Sequence, residues 1–131
     1  HPNSIDSHKR PLHTIIPGLI TNKNDETLYS YGVMGGQYQP VGHCHVLQNI
    51  FDFGLSIQEA IDLPRAFVLK NVYGIEKSIP LKILNSLKDK GHKVEYSNTT
   101  HGGGQGIYID NKNGTLIGGS DPRKDGCALG Y

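Results

Sequence analysis

Tyr31-Gly32-Val33-Met34-Gly35-Gly36-Gln37-Tyr38-Gln39-Pro40 is the stretch on which the fold turns. Upstream of the paired glycines, Thr27-Leu28-Tyr29-Ser30-Tyr31-Gly32-Val33 has the β-branched and aromatic content of a strand. Downstream, Val46, Leu47, Ile50 and Phe51 recur at helical spacing and Gly54 sits where a helix would stop, so a helix is expected to begin near Pro40. Two adjacent glycines at the change of period let consecutive backbone amides point the same way with no side chain in front of them. Beside a helix start, such amides suit an anion or the oxyanion of a tetrahedral intermediate. A tight strand-to-helix turn that needs glycine only for its dihedrals explains the same residues. No Gly-Lys-Ser/Thr follows, so the loop is not a P-loop.

Working outward toward the N-terminus, Thr14-Ile15-Ile16 and Leu19-Ile20-Thr21 read as strand on either side of a Pro17-Gly18 break. The polar run Asn22–Glu26 then turns the chain into a hairpin with Thr27–Val33. Residues 1–12 show no periodicity and read as an extended lead-in continuing from an upstream segment. Toward the C-terminus, Ser56 and Glu59 form a capping box for a short helix that Pro64 ends, and Val72–Ser78 reads as a strand. Pro80, then Leu81, Leu84 and Leu87 with Gly91 as the stop, predict an amphipathic helix whose Lys82, Lys88 and Lys90 face water. Residues 106–110 and 115–118 flank Asn113-Gly114, a strong hairpin signal. Hairpins with helices packed on one side make the fold class α+β rather than alternating βαβ.

A chain of 131 residues is about one domain. Thirteen Lys and Arg against twelve Asp and Glu leave a formal charge of +1, which calls for no nucleic-acid partner. The longest uncharged stretch, Thr14–Asn22, is about half the length that crosses a bilayer, so no membrane segment is expected. Cys44 and Cys127 are too few for a disulfide framework and are expected to be free thiols. The chain opens with neither an initiator Met nor a targeting segment, and the reading favoured is a piece of something longer. Seventeen glycines, gathered at 32–36, 102–106 and 114–119, suggest backbone that approaches a ligand or another segment closely.

Other constellations compete for chemistry. Lys9-Arg10-Pro11-Leu12-His13-Thr14 offers a cationic pair, an imidazole and a hydroxyl of the kind that recognise a carboxylate, or else a solvated lead-in. In His43-Cys44-His45 the histidines are two apart, which on a helix turns them to different faces, and no further ligand lies at metal spacing. Cys44 with His101 or His13 as base would make a nucleophile, yet a mid-helix Cys among apolar neighbours is more often inert. Asn98-Thr99-Thr100 and Asn113-Gly114-Thr115 match the glycosylation sequon, the second being better explained as a turn. His101-Gly102-Gly103-Gly104-Gln105 permits close backbone approach or simple packing. No cofactor motif is present and none is expected.

Three segments in order, Lys9-Arg10-Pro11-Leu12-His13-Thr14, Gly32-Val33-Met34-Gly35-Gly36 and Gly119-Ser120-Asp121-Pro122-Arg123 running to Gly130-Tyr131, resemble the γ-glutamyltransferase family. With Asp52-Phe53-Gly54-Leu55 and residues 60–67 between them, the resemblance covers the chain as the C-terminal part of that family's small subunit, a single unit over 1–131. It implies an N-terminal-nucleophile hydrolase with an αββα sandwich. A precursor cleaves itself, and the new N-terminal Thr of the small subunit attacks a γ-glutamyl amide, passing the acyl group to water or an amine. That Thr lies upstream of this chain, so the chain alone is expected to be inactive and to partner the upstream part of the small subunit and the large subunit. Gly35 and Gly36 match the family's oxyanion glycines. His13 and Thr14 fall on a pair of hydroxyl residues that hold the α-carboxylate of the glutamyl group. His13 departs from that pattern, and the His-Thr variant is closer to cephalosporin-acylase-like members that deacylate glutaryl-type amides. Asp121 and Arg123 are expected to form a structural pair. A non-catalytic α+β binding or assembly module is the rival reading.

Overall fold

The structure, a computed structural model, describes all of residues 1–131. Its elements run β1 (Pro17–Thr21), β2 (Thr27–Met34), α1 (Gln39–Phe51), α2 (Ile57–Asp62), β3 (Ala66–Leu69), β4 (Val72–Ile75), α3 (Leu81–Asp89), β5 (Val94–Tyr96), β6 (Gly103–Asp110) and β7 (Thr115–Ser120). Single 3₁₀ turns occupy Gly36–Tyr38 and Pro122–Lys124. The strands form two sheets, one antiparallel in the order β1-β2-β6-β7 and one in the order β3-β4-β5, in which β4 and β5 run parallel. The fold is α+β.

Strand alternation decides which side of the larger sheet is covered. Val33 of β2 joins Tyr38, Val46, Ile50, Ile57, Ala60 and Ile61 in the main core, with Tyr29 and Tyr31 packed against it, so α1 and α2 lie on that face. Gly106 in β6 permits the contact, because a Cβ there would stand 2.7 Å from Ile57 Cδ1. The opposite face has no helix, and Leu19, Met34, Ile107 and Leu116 stand 42–69% exposed on it. This is one helix-covered half of a sandwich. A second, smaller core of Ile75, Leu84 and Val94 packs α3 on the three-stranded sheet.

The expected capping box is in place, Ser56 Oγ accepting from Glu59 N at 3.3 Å and Glu59 Oε2 accepting from Ser56 N at 2.9 Å. Lys82, Lys88 and Lys90 are exposed, as their spacing predicts. Other expectations need correction. Thr14–Ile16 is not a strand and Pro17-Gly18 is not a break; β1 starts at Pro17, where a proline is tolerated at the first position of an edge strand. Strand β4 ends at Ile75 rather than Ser78, because the chain turns directly after it, Ile79 N donating to Glu76 O. The reading also missed β3 and β5. β3 and β4 form a two-residue hairpin whose Lys70 and Asn71 both have positive φ, a type I′ pattern without the usual glycine. Around Asn113-Gly114 the hairpin has a four-residue loop, 111–114, held by Asp110 Oδ1, which accepts from Lys112 N and Asn113 N.

The two layers are tied by buried charge. Arg65, fully buried, places Nη2 2.7 Å from Asp121 Oδ2, and that oxygen also accepts from Gly104 N at 2.6 Å. Arg65 also donates to the carbonyls of His101 and Ile61. Arg123 bridges Asp121 Oδ1 at 3.2 Å and Glu76 Oε2 at 2.8 Å and donates to the carbonyls closing α2. The Asp121–Arg123 pair is therefore present, as part of a four-member network. Burial works to raise the Asp121 carboxyl, but the Gly104 and Arg123 N–H groups and both guanidinium charges outweigh it and hold it below the usual carboxylate range. Glu76 is lowered likewise, burial being opposed by the Arg123 hydrogen bond and the N–H groups of Arg65 and His101.

Removing one partner leaves a buried charge uncompensated, so Asp121→Ala is expected to lose about 3–5 kcal/mol of stability in urea titrations. Restoring apolar packing with Arg65→Met together with Asp121→Leu should recover part of it, the Gly104 N–H still lacking the acceptor that Asp121 provides. Because both carboxyls titrate lower in the folded state, their stabilisation is complete above their ordinary values near pH 4 and is lost as pH falls through the depressed ones. Thermal melts below about pH 4 should therefore drop less steeply for Glu76→Gln than for the parent.

Candidate active site

The turn between β2 and α1 is built from conformations that only glycine adopts easily. Gly35 has φ 139° and ψ 27°, and Gly36 has φ 56°. At Gly35 a Cβ would stand 2.9 Å from Gly102 Cα, so the turn interlocks with the second glycine loop. At Gly36 a Cβ would meet nothing within 4 Å. The backbone at Gly36 thus faces open space. Gly35 O accepts from Tyr38 N at 3.1 Å, closing the 3₁₀ turn, and the first amides of such a turn have no carbonyl ahead of them to accept their protons.

Tyr38 holds the turn from behind. Only 3% exposed, its ring is 5.5 Å from Phe67 at a near-perpendicular angle and 5.9 Å from His101. The Arg65 guanidinium carbon lies 6.0 Å from its centroid. Burial pushes the Tyr38 phenol up, and the neighbouring Arg65 only partly offsets it. A hollow of about 410 Å³ opens beside Gly35, walled by Met34, Tyr38, Phe67, His101 and Lys124. Arg65 and Arg123 are consumed in ion pairs, whereas Lys124 Nζ makes none.

Thr14 and His13 are exposed on the segment entering β1. Thr14 is brought to the turn, because Gln39 Nε2 donates to its carbonyl at 3.1 Å. His13 makes no hydrogen bond. Lys9 folds back to donate to Ser4 O, and with Arg10 it lines a separate hollow against residues 2–6. His43 and His45 do face different ways. His43 is buried, with Nδ1 2.7 Å from Gln39 O and Nε2 2.7 Å from Ile16 O. His45 has a buried Nε2 without a partner, and burial, then the charges of Arg65 and Arg123, lower its pKa. Both cysteines are free and exposed.

Sequence reading missed the parts played by Gln39, His43, Arg65 and Glu76. A Gln in the first helical turn and a His among apolar neighbours are ordinary by composition, and their targets are carbonyls at residues 14 and 16, which sequence spacing does not pair. Arg65 and Glu76 carried one weak signal, charges immediately beside strands that end in buried cores.

The family model described as gamma-glutamyltranspeptidase matches residues 1–131. The chain is similar to the glutathione hydrolase-like YwrD proenzyme of Bacillus subtilis, 33% identical over 99% of the chain and 26% of the relative. It is also similar to the oxamate amidohydrolase proenzyme of Klebsiella pneumoniae, 33% identical over 94% of the chain and 25% of the relative. Among solved structures, cephalosporin acylase from Bacillus halodurans superposes with a TM-score of 0.78 at 41% identity, over 94% of this chain and 23% of that one. Gamma-glutamyltranspeptidase from Pseudomonas nitroreducens superposes at 0.76 and 27%, over all of this chain and 68% of that one. The chain thus spans about a quarter of the length of these curated relatives. Because that family model matches the whole chain, residues 1–131, the chain belongs to the gamma-glutamyltranspeptidase family.

Proposed function

We propose that this chain is the C-terminal part of the small subunit of an autoprocessed amidohydrolase or acyltransferase, one unit over 1–131, and that it supplies the oxyanion turn and the acyl-positioning segment. The supporting observation is the Gly35-Gly36 turn, whose outer backbone at Gly36 is open while its other side is locked against Gly102 and Tyr38. A Thr hydroxyl contributed by the upstream part of the precursor attacks the amide carbonyl. The Gly35 and Gly36 amides then donate to the oxygen as it gains negative charge, the C–N bond breaks, and the amine leaves with a proton. Water or a second amine takes the acyl group from the Thr ester. Each preorganised donor is worth roughly 3–4 kcal/mol of barrier.

His13 and Thr14 position the acyl group, Thr14 through its hydroxyl. A carboxylate-ended acyl chain of the γ-glutamyl or glutaryl type is the substrate class. The glutaryl-type reading is favoured by His13 standing where a hydroxyl residue is usual and by the 41% identity to the cephalosporin acylase. Lacking the nucleophile, the chain alone is inactive. Its helix-free sheet face, with Leu19, Met34, Ile107 and Leu116 exposed, is where the rest of the precursor completes the sandwich.

The test uses the complete precursor and its Gly36→Asn variant. Asn tolerates positive φ, so the turn persists, while its side chain projects into the open space that the scissile carbonyl must occupy. Turnover of γ-glutamyl and glutaryl amides is expected to fall at least about a hundredfold with little change in thermal stability, because a carbonyl kept out of that space cannot reach the turn's N–H donors. Turnover within a few fold of the parent would overturn the assignment of the turn. Gly35→Ala, which meets Gly102, should by contrast destabilise the fold, read as a lower melting temperature.

A further inference from the structure

Residues 10–16 make only two hydrogen bonds, and both go to the first turn and a half of α1. Gln39 Nε2 donates to Thr14 O at 3.1 Å, and His43 Nε2 lies 2.7 Å from Ile16 O. The segment lies outside the β ladder, which starts at Pro17, so no strand partner fixes it. His43 is 8% exposed, with its ring 5.2 Å from that of Tyr31. Its Nδ1 faces Gln39 O, a carbonyl that already has the helical N–H of residue 43 as its partner, whereas Ile16 O has no other donor.

We infer that His43 and Gln39 are positioning residues that clamp the Thr14–Ile16 backbone to the start of α1, fixing the acyl-binding Thr14 at a set distance from the Gly35-Gly36 turn. This inference rests on the function proposed above. The clamp uses two alternate carbonyls of the entry segment, residues 14 and 16, and two donors one helical turn apart, residues 39 and 43. Those repeats place donor and acceptor pairs side by side along one line. Two groups face Nε2, Ile16 O at 2.7 Å and the Val33 N–H at 3.4 Å, and the much shorter contact to the carbonyl assigns the ring proton to Nε2. Because the carboxylate end of the acyl chain is bound in ground and transition states alike, loosening Thr14 weakens substrate binding more than the chemical step.

Side-chain length separates this role from simple core filling. In His43→Gln the amide nitrogen reaches about as far as Nε2, whereas in His43→Asn it reaches only as far as Nδ1. In the complete enzyme, His43→Asn and Gln39→Ala are expected to raise KM for a glutaryl or γ-glutamyl amide about tenfold, with kcat within about threefold of the parent. His43→Gln should stay near the parent in both. Limited proteolysis at Ile15-Ile16 reads the clamp without catalysis, and cleavage should rise about tenfold in His43→Asn and Gln39→Ala but not in His43→Gln. Equal effects of Asn and Gln, or a Gln39→Ala enzyme of parental melting temperature with unchanged KM and unchanged cleavage, would overturn the inference. Gln39→Ala decides the matter if both His43 variants fail to fold. Should the parent turn over neither amide while the cleavage pattern holds, the clamp stands and the substrate reading falls.

Discussion

The ion pair between Arg65 and Asp121 is the contact on which the remaining arrangement depends. Neither side chain is exposed, and between them they touch four separate parts of the chain: the end of α2 through Ile61 O, the loop before β6 through His101 O, β6 itself through Gly104 N, and the C-terminal turn through Arg123. Taking two charges out of water costs several kcal/mol per ion, and mutual attraction offsets this only when the remaining donors and acceptors are also satisfied. Here most of them are, leaving Arg65 Nε as the guanidinium's one unpartnered group. The arrangement therefore tolerates little displacement of any of its four contributors. That constraint reaches the candidate site, since the His101 carbonyl that Arg65 holds leads directly into Gly102, against which Gly35 is locked.

The turn and the ion pair form one mechanical unit. Tyr38 stands between them, its ring within cation–π distance of Arg65 and its backbone closing the turn on Gly35. Phe67 and His101 hold the ring from the other side, with the His101 imidazole 3.0 Å from Gly74 O. An oxyanion site gains from donors that need not reorganise as charge develops. In this chain the rigidity comes from aromatic packing and buried charge behind the loop, while the face at Gly36 stays open.

How much of this was legible in the sequence depends on how local its cause is. The strand–Gly-Gly–helix turn, the capping box at Ser56 and Glu59, and the lysine-faced helix after Pro80 are each fixed by neighbours within a few residues, and each was read correctly as to type. β3 and β5 were not. β5 is three residues long and exists only because β4 offers it a parallel edge, and the Lys70-Asn71 turn lacks the glycine that marks such hairpins. Thr14–Ile16 failed for a related reason. Its β-branched residues favour extended backbone, but a strand also needs a partner, and side chains of α1 took that place. Of the site, the glycines were visible through their own backbone needs; Gln39 and His43 were not, because what defines them is a contact across 25 and 27 residues.

Glycine in β6 and β7 explains why charge, rather than a larger apolar residue, fills the space behind the site. Gly104, Gly106 and Gly119 present bare backbone toward α2, which allows Ile57 and Ile61 to approach closely, while the β6–β7 ladder ends at the Gln105–Ser120 pair and leaves the backbone groups beyond it without a strand partner. The N–H of Gly104 is one of them, and an apolar side chain opposite it would leave it without an acceptor, at a cost of about 1–3 kcal/mol. Asp121 answers that N–H, Arg65 answers Asp121, and Glu76 with Arg123 completes a set of two acids and two bases with no net charge. Close helix-to-sheet approach and buried ion pairs are in this sense one solution. The pairing of the set has a further consequence for the site, since it leaves the unpaired Lys124 as the cation on the wall of the hollow beside Gly35.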